Sequence, residues 1–209
     1  VSARPATFIP EAAGQWHWSA SRAMWAFWQE SEIIAEGEGV TDRDGRLLVT
    51  LDADLAPLND QETTQAQHWT LEATVTDEAG FPVSRQGEMT VHTSRVYVGM
   101  RPQTWVTLAG SPTGIDLVAV DWDGLPQARE RLTMTLARRT WRATPSTEPH
   151  LSDTWTFEDT VVETTSVTTD SDGLATATLT PPGSGPYVVI AEGRDREGNP
   201  YSGETYLYV

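Results

Sequence analysis

The stretch WTLEATVTDEAGFPVS, residues 69–84, is matched further along the chain by YVVIAEGRDREGNPYS, residues 187–202. In both, an aromatic residue opens a run with apolar residues at every second position, an Asp-x-x-Gly turn follows, and a proline begins a second run. A period of two is typical of half-buried antiparallel strands, and Asp, Gly and Pro are turn residues. Each stretch is therefore predicted to be a β-hairpin, and the chain to be all-β.

A second block of the repeat sets the domain organisation. Asp42–Gly45 is matched by Asp170–Gly173, an offset of 128 residues against 118 for the hairpins, so the first copy has ten more residues (128 − 118), placed around Asn59–Gln67. A repeat of this length suits a tandem β-sandwich better than a solenoid. The sequence predicts two tandem antiparallel, Ig-like β-sandwich domains, residues 1–94 and 95–209, with no long helix.

The first domain is expected to be truncated at its N-terminus, because Thr7-Phe8 matches Thr140-Trp141, which many more residues of the second domain precede. The chain is thus expected to be a piece of a longer protein. The rings of Trp16–Trp28, with Ile33-Ile34, are expected at an open side of the first domain, exposed or covered by another copy of the chain. A hairpin from Ile33 to Leu51 is also predicted.

Composition excludes several partners and sites. The formal net charge is −16, and all 14 basic residues are arginines, so the surface should repel nucleic acid and anionic lipid. The acidity fits an extracellular module from a GC-rich genome or an adaptation to salt, and the composition does not separate the two. The 209 residues contain no cysteine, which excludes disulfides, a cysteine nucleophile and a thioester.

Three Asp-x-Asp-Gly motifs resemble the start of a calcium loop: Asp42/Asp44, Asp121/Asp123 and Asp170/Asp172. An EF-hand loop needs a bidentate Glu at its twelfth position, and those positions hold Ala53, Leu132 and Pro181. In a β-turn, by contrast, the Asp side chain caps the backbone and Gly takes a positive φ. The motifs are therefore predicted to be turns that bind no metal.

Aromatic and histidine residues could instead mark a binding site. Nine tryptophans are present, but Trp69 and Tyr187 hold equivalent positions in the repeat, which favours packing over sugar stacking. The histidines are dispersed and form no pair with ligand spacing; they are His17, His68, His92 and His150. No Gly-x-Ser-x-Gly elbow or phosphate loop is present. The sequence thus predicts no catalytic, cofactor-binding or metal residue, and a protein that is not an enzyme.

The hairpin Trp69–Ser84 resembles one in the macroglobulin-like domains of bacterial α2-macroglobulins. Val118–Pro126, followed by Leu132–Leu136, is similar to the Asp-x-Asp-Gly-x-Pro hairpin that opens the next such domain, and Ser2–Pro10 to the strand and loop one module earlier. The resemblance covers most of the chain.

The resemblance implies a secreted or periplasmic protease trap, which collapses around a protease that cuts its bait region and in many members attaches through a thioester. This chain would supply non-catalytic scaffold domains, with neighbouring domains of the same chain and, through the parent, target proteases as partners. It would contact neither nucleic acid nor membrane. A pair of adhesion or carbohydrate-binding modules of a bacterial surface protein is the alternative.

Overall fold

The computed structural model describes residues 1–5, 9–10, 16–18, 31–50, 66–144 and 154–209, and these residues form strands and turns but no helix. Accordingly, no helix in this part of the chain could span a membrane. The strands are β1 (Ser2–Pro5), β2 (Glu32–Ile33), β3 (Gln67–Thr76), β4 (Pro82–Val91), β5 (Tyr97–Pro102), β6 (Thr113–Val120), β7 (Arg131–Thr144), β8 (Thr154–Thr168), β9 (Leu174–Leu179), β10 (Pro186–Arg194) and β11 (Pro200–Tyr208). The predicted all-β fold of antiparallel sheets is confirmed.

The contacts between residues divide the chain into two compact units. The first unit comprises Val1–Phe8 and Arg22–Thr93, and the second comprises Ile9–Ser21 and Ser94–Val209. The second unit therefore begins at Ser94 along the main run of the chain but also takes in a segment from near the N-terminus. Two of the sequence predictions fall outside the described residues: the exposure of the Trp25, Phe27 and Trp28 rings, and the polar insertion over residues 59–65.

The second unit is a β-sandwich of seven strands. One sheet has the order β11-β10-β7-β8 and the other the order β5-β6-β9, and every neighbouring pair is antiparallel. Alternate residues of each strand face inward and form one core, which includes Met100, Leu117, Met134, Val189 and Leu207, all fully buried. Burial of apolar side chains of this size is the main force that holds two such sheets together. Alternation along the strands thus produced the core that the period-two pattern predicted.

A β-bulge changes the register between the two longest strands. Leu136 pairs with Glu163, whereas the next residue, Ala137, pairs with Val161, so Val162 is the extra residue on β8. Beyond the bulge, β7 and β8 continue as a hairpin extension through Trp141. The bulge thereby sets which side chains face each other on this extension.

The described part of the first unit forms a single sheet with the order β2-β1-β3-β4. β2 pairs with β1, through Ser2 opposite Ile33, and residues 46–50 belong to no strand. The predicted hairpin from Ile33 to Leu51 is therefore wrong, although its turn at Asp42–Gly45 is present. Pairing with β1 displaced it, because the N-terminal strand offers β2 a partner that a local pattern cannot indicate.

The two copies of the repeated hairpin differ in what covers them. Tyr187, Val189 and Ala191 on β10 are buried in the sandwich core, while the equivalent Trp69 is buried but Leu71 and Ala73 are not. Further along the same face, Val75 and Val83 are 58% and 71% exposed. The first unit thus leaves open a face whose counterpart in the second unit is core.

Candidate functional site

The acidic motifs are the first candidates, and all of them are turns. Asp42, Asp121 and Asp170 each accept two backbone amide hydrogen bonds on Oδ1, from the residues two and four positions later, at 2.9–3.0 Å. The glycine three positions later has a positive φ between 72° and 78° in each case. These carboxylates cap the backbone as the turn interpretation predicts.

The same turn also closes both repeated hairpins. Oδ1 of Asp77 accepts the amides of Ala79 and Phe81, and Oδ1 of Asp195 accepts those of Glu197 and Asn199. Among the residues that the structure describes, no group of three His, Asp or Glu side chains could hold a metal ion. The chemistry of these aspartates is thus directed at the backbone.

Asp195 does more than close its turn. Its Oδ2 accepts hydrogen bonds from the Ser94 hydroxyl and the Arg95 amide, both at 3.0 Å. Burial alone would raise the pKa of this carboxyl, but the hydrogen bonds from Arg95, Asn199 and Ser94 outweigh it and lower the pKa below its ordinary value. One carboxylate therefore ties the first residues of the main run of this unit to the β10–β11 turn.

A buried charge cluster lies on the outer face of the four-stranded sheet. The Arg139 guanidinium donates two hydrogen bonds to Asp159, at 2.8 and 2.7 Å, and one to the Tyr206 hydroxyl at 2.8 Å. Its Nη2 also lies 3.5 Å from Glu204, and the side chains of Arg139 and Glu204 are each only 2% exposed. The bulge before Ala137 places Asp159 opposite Arg139. Planar, bidentate pairing of this kind is what arginine provides and lysine does not.

The pKa values of Arg139 and Tyr206 are both raised in this cluster. Burial would lower the pKa of Arg139, yet hydrogen bonding to Asp159 and the charge of Glu204 together raise it above the ordinary arginine value. The pKa of Tyr206 is also raised, first by burial and then by Glu204. Phe157 covers the guanidinium, with its ring centre 4.0 Å away. Asp159, Tyr206 and Glu204 each contact the Arg139 guanidinium, which suits a structural role.

The described tryptophans near the N-terminus pack against β5. His17 and Met100 exchange backbone hydrogen bonds of 2.9 and 3.0 Å, so residues 16–18 extend the three-stranded sheet. Gly99 permits this, because a Cβ there would lie 2.9 Å from Trp16 and 3.0 Å from Trp18. Both rings are half-buried. The expectation that they lie exposed on the first domain is wrong for Trp16 and Trp18, since the segment pairs with the second unit.

The described histidines belong to no group that could hold a metal ion. His17 meets the Trp105 ring edge-on at 4.8 Å, and His68 lies 3.5 Å from the carboxylate of Glu88. His92 has a structural partner of its own, and His150 lies outside the described residues. The described histidines therefore serve packing and pairing. Sequence reasoning did not find the cluster around Arg139, because its partners depend on the bulge and on a strand far along the chain.

Comparisons with known proteins show which solved structures share this fold. No protein-family profile matches the chain, and no curated protein matches it. Among solved structures, the native E. coli alpha-2-macroglobulin matches 100% of this chain and 13% of its own, with 16% identity and a TM-score of 0.58. Salmonella alpha-2-macroglobulin reacted with methylamine matches 99% of this chain and 14% of its own, with 18% identity and a TM-score of 0.58. A mutant of the Salmonella protein matches 98% of this chain and 14% of its own, with 18% identity and a TM-score of 0.58.

These matches show that the chain shares the β-sandwich fold found in part of the bacterial alpha-2-macroglobulins. At 16% and 18% identity they establish the fold, and the chain spans only 13% and 14% of the length of the E. coli and Salmonella proteins. The resemblance to bacterial α2-macroglobulins, drawn from the turn and strand motifs around Trp69 and Val118, is confirmed at the level of the fold.

Proposed function

We propose that this chain is a non-catalytic scaffold segment of a bacterial α2-macroglobulin-like protease inhibitor. The observation that carries the proposal is the extent of the structural match, which covers 100% of this chain and 13% of the E. coli protein.

The polar groups of the described residues support a scaffold role. The turn aspartates accept backbone amide hydrogen bonds on Oδ1, and Asp159 accepts hydrogen bonds from the Arg139 guanidinium. A catalytic nucleophile or base needs a free, positioned atom within reach of a substrate. These groups instead hold strands and turns in register, as a module that transmits a movement of its parent requires.

The proposal carries partners and a location with it. The parent acts outside the cytoplasm, in the periplasm or the extracellular space, and meets target proteases, while this segment contacts neighbouring domains of the same polypeptide. The net charge of −16 makes nucleic acid and anionic membranes unfavourable partners. The segment needs no cofactor or metal.

A trapping assay tests the function. The 209-residue chain and the longest natural polypeptide that contains it are each incubated with trypsin, and hydrolysis of casein and of a small chromogenic peptide is measured. A trap hides the protease from casein but not from the small peptide, so the long polypeptide should suppress only casein hydrolysis. The 209-residue chain alone should suppress neither and should hydrolyse neither substrate.

Two results would overturn the proposal: a long polypeptide that leaves casein hydrolysis unchanged, or a 209-residue chain that inhibits or hydrolyses by itself. The adhesion or sugar-binding alternative needs aromatic rings presented as a flat platform. The described pairs are edge-on instead, with Trp141 and Phe157 at 61° and His17 and Trp105 at 88°. Saturable binding of the chain to immobilised bacterial or host polysaccharides would favour that alternative.

A further inference from the structure

Among the described residues of the first unit, no strand pairs with the outer edge of strand β4. It is the last strand in the order β2-β1-β3-β4, it runs ten residues without a register shift, and residues 82–90 are all exposed. Natural proteins usually protect such an edge with charged side chains, lysine above all, or with bulges, prolines or a very short strand. β4 carries two charged side chains, Arg85 and Glu88. The chain has no lysine at all, and proline stands only at the first position of β4. This edge is therefore available for strand pairing.

The register of the hairpin shows which backbone groups point outward. Asp77 N donates to Phe81 O across the turn, and hydrogen-bonded pairs then recur at every second residue, so Val83 and the odd-numbered residues after it bond to β3. The N–H and C=O groups of the even-numbered residues point to the free edge. Pro82, which has no N–H, falls in this outward set, as expected for an edge position. The outward set that can donate comprises Ser84, Gln86, Glu88 and Thr90.

We propose that this edge binds the same edge of a second copy of the chain, in antiparallel register with Gln86 opposite its own counterpart. This inference does not depend on the proposed protease trap. A two-fold axis at Gln86 pairs each outward residue with another outward residue, with Ser84 opposite Glu88 of the second copy. Every outward N–H within the paired segment then meets a carbonyl.

The side chains on the apolar face also match in this register. Val83, which is 71% exposed, comes opposite Met89 of the second copy, which is 47% exposed. Arg85 comes opposite Gly87, where a side chain would meet nothing within 4 Å, so the guanidinium has room. Sliding the axis to Gly87 would instead set Arg85 against Met89. Since Val83 corresponds in the repeat to Tyr201, a core residue of the second unit, this face is built from residues suited to burial.

Cysteine cross-linking tests the register directly, because the chain contains no cysteine. Directly opposite residues of a hydrogen-bonded antiparallel pair have Cα atoms about 5.5 Å apart, which is within disulfide reach. Under mild oxidation Gln86→Cys should form a covalent dimer, while Thr76→Cys, exposed on the same face but on β3, should not. A dimer from Gly87→Cys but not from Gln86→Cys would overturn the proposed register, and equal cross-linking at Thr76 and Gln86 would overturn the edge itself.

Sedimentation of the cysteine-free chain provides an independent test. Each copy has a net charge of −16, so the dimer should tighten several-fold between 50 and 500 mM NaCl as salt screens the repulsion. Gln86→Lys sets two like charges directly opposite and should raise Kd at least tenfold, whereas Thr76→Lys makes the same charge change away from the edge and should leave Kd within twofold. A chain that stays monomeric up to about 1 mM in 500 mM NaCl, or equal effects of the two lysines, would overturn the proposal.

Discussion

Replacement of Arg139 by methionine should destabilise the second unit strongly, because the buried Glu204 and Asp159 would both lose the guanidinium that they contact. The substitution removes the two hydrogen bonds to Asp159, the bond to Tyr206 and the contact with Glu204. Asp159 is 21% exposed and can rehydrate in part, but Glu204 is 2% exposed and cannot. Methionine fills much of the same volume, so the measured change reports the lost charge rather than a cavity.

The magnitude follows from the burial. Removing one partner of a buried ion pair costs about 3–5 kcal/mol, since it leaves an uncompensated charge. With a urea m-value of about 2 kcal/mol/M, the unfolding midpoint should fall by about 1.5–2.5 M. Replacing Glu204 by glutamine in the same chain removes the buried negative charge, and the double variant should be more stable than Arg139→Met alone.

Urea unfolding followed by far-UV circular dichroism measures these changes, and Arg142→Met is the matched control. Arg142 lies on β7, like Arg139, and pairs with Glu158 on β8 at 2.8 Å, but the two side chains are 70% and 63% exposed. An exposed pair of this kind contributes at most about 1 kcal/mol. If Arg139→Met shifted the midpoint no more than Arg142→Met, the cluster would be open to water and the reasoning from burial would be refuted.

Two further outcomes concern single residues of the second unit. Gly173→Ala should lower the free energy of unfolding by about 3 kcal/mol, because φ is +72° and a Cβ would lie 2.5 Å from the carbonyl oxygen of Ala119. Gly198→Ala, where φ is +89° and the space is open, should lower it by about 1 kcal/mol. Equal losses of the two variants in urea titrations would contradict the steric argument. Asp195→Asn should cost about 2 kcal/mol at neutral pH. Because folding lowers the pKa of Asp195, its contribution to stability is present above the unfolded pKa of about 3.9 and is lost as the pH falls through the folded pKa. The stabilities of Asp195→Asn and of the unsubstituted chain should therefore converge in acid. A difference in stability that stays constant down to pH 2 would contradict this prediction.

Local pattern predicted the features that depend on neighbours in sequence. The turns at Asp42, Asp121 and Asp170 follow from Asp and Gly at fixed spacing, and the alternation around Tyr187 indicated core strands. Equivalence in the repeat predicted that Trp69 and Tyr187 pack inside, and both are buried, at 4% and 1% exposure. These features need only a few residues of context.

The features that the sequence did not reveal depend on distant pairing. Nothing near Trp16 indicates that its segment pairs with Met100, and nothing near Ile33 indicates β1 as its partner. The ion cluster also depends on one extra residue, Val162, since without the bulge Arg139 would face Thr160 rather than Asp159. A pattern of period two cannot show where a register shifts.

The shared turn also has a consequence for the order in which the chain can fold. The Asp195 turn brings residues four apart together, whereas β6 meets β9 with Thr113 opposite Leu179, 66 residues away (179 − 113). Loop-closure entropy grows with the logarithm of loop length, so the long closure costs about 2.5 kcal/mol more than the turn. The carboxylate of Asp195 also stabilises the closed turn, because it accepts two backbone amide hydrogen bonds within it. We therefore expect the β10–β11 hairpin to form before the distant strands pair with it.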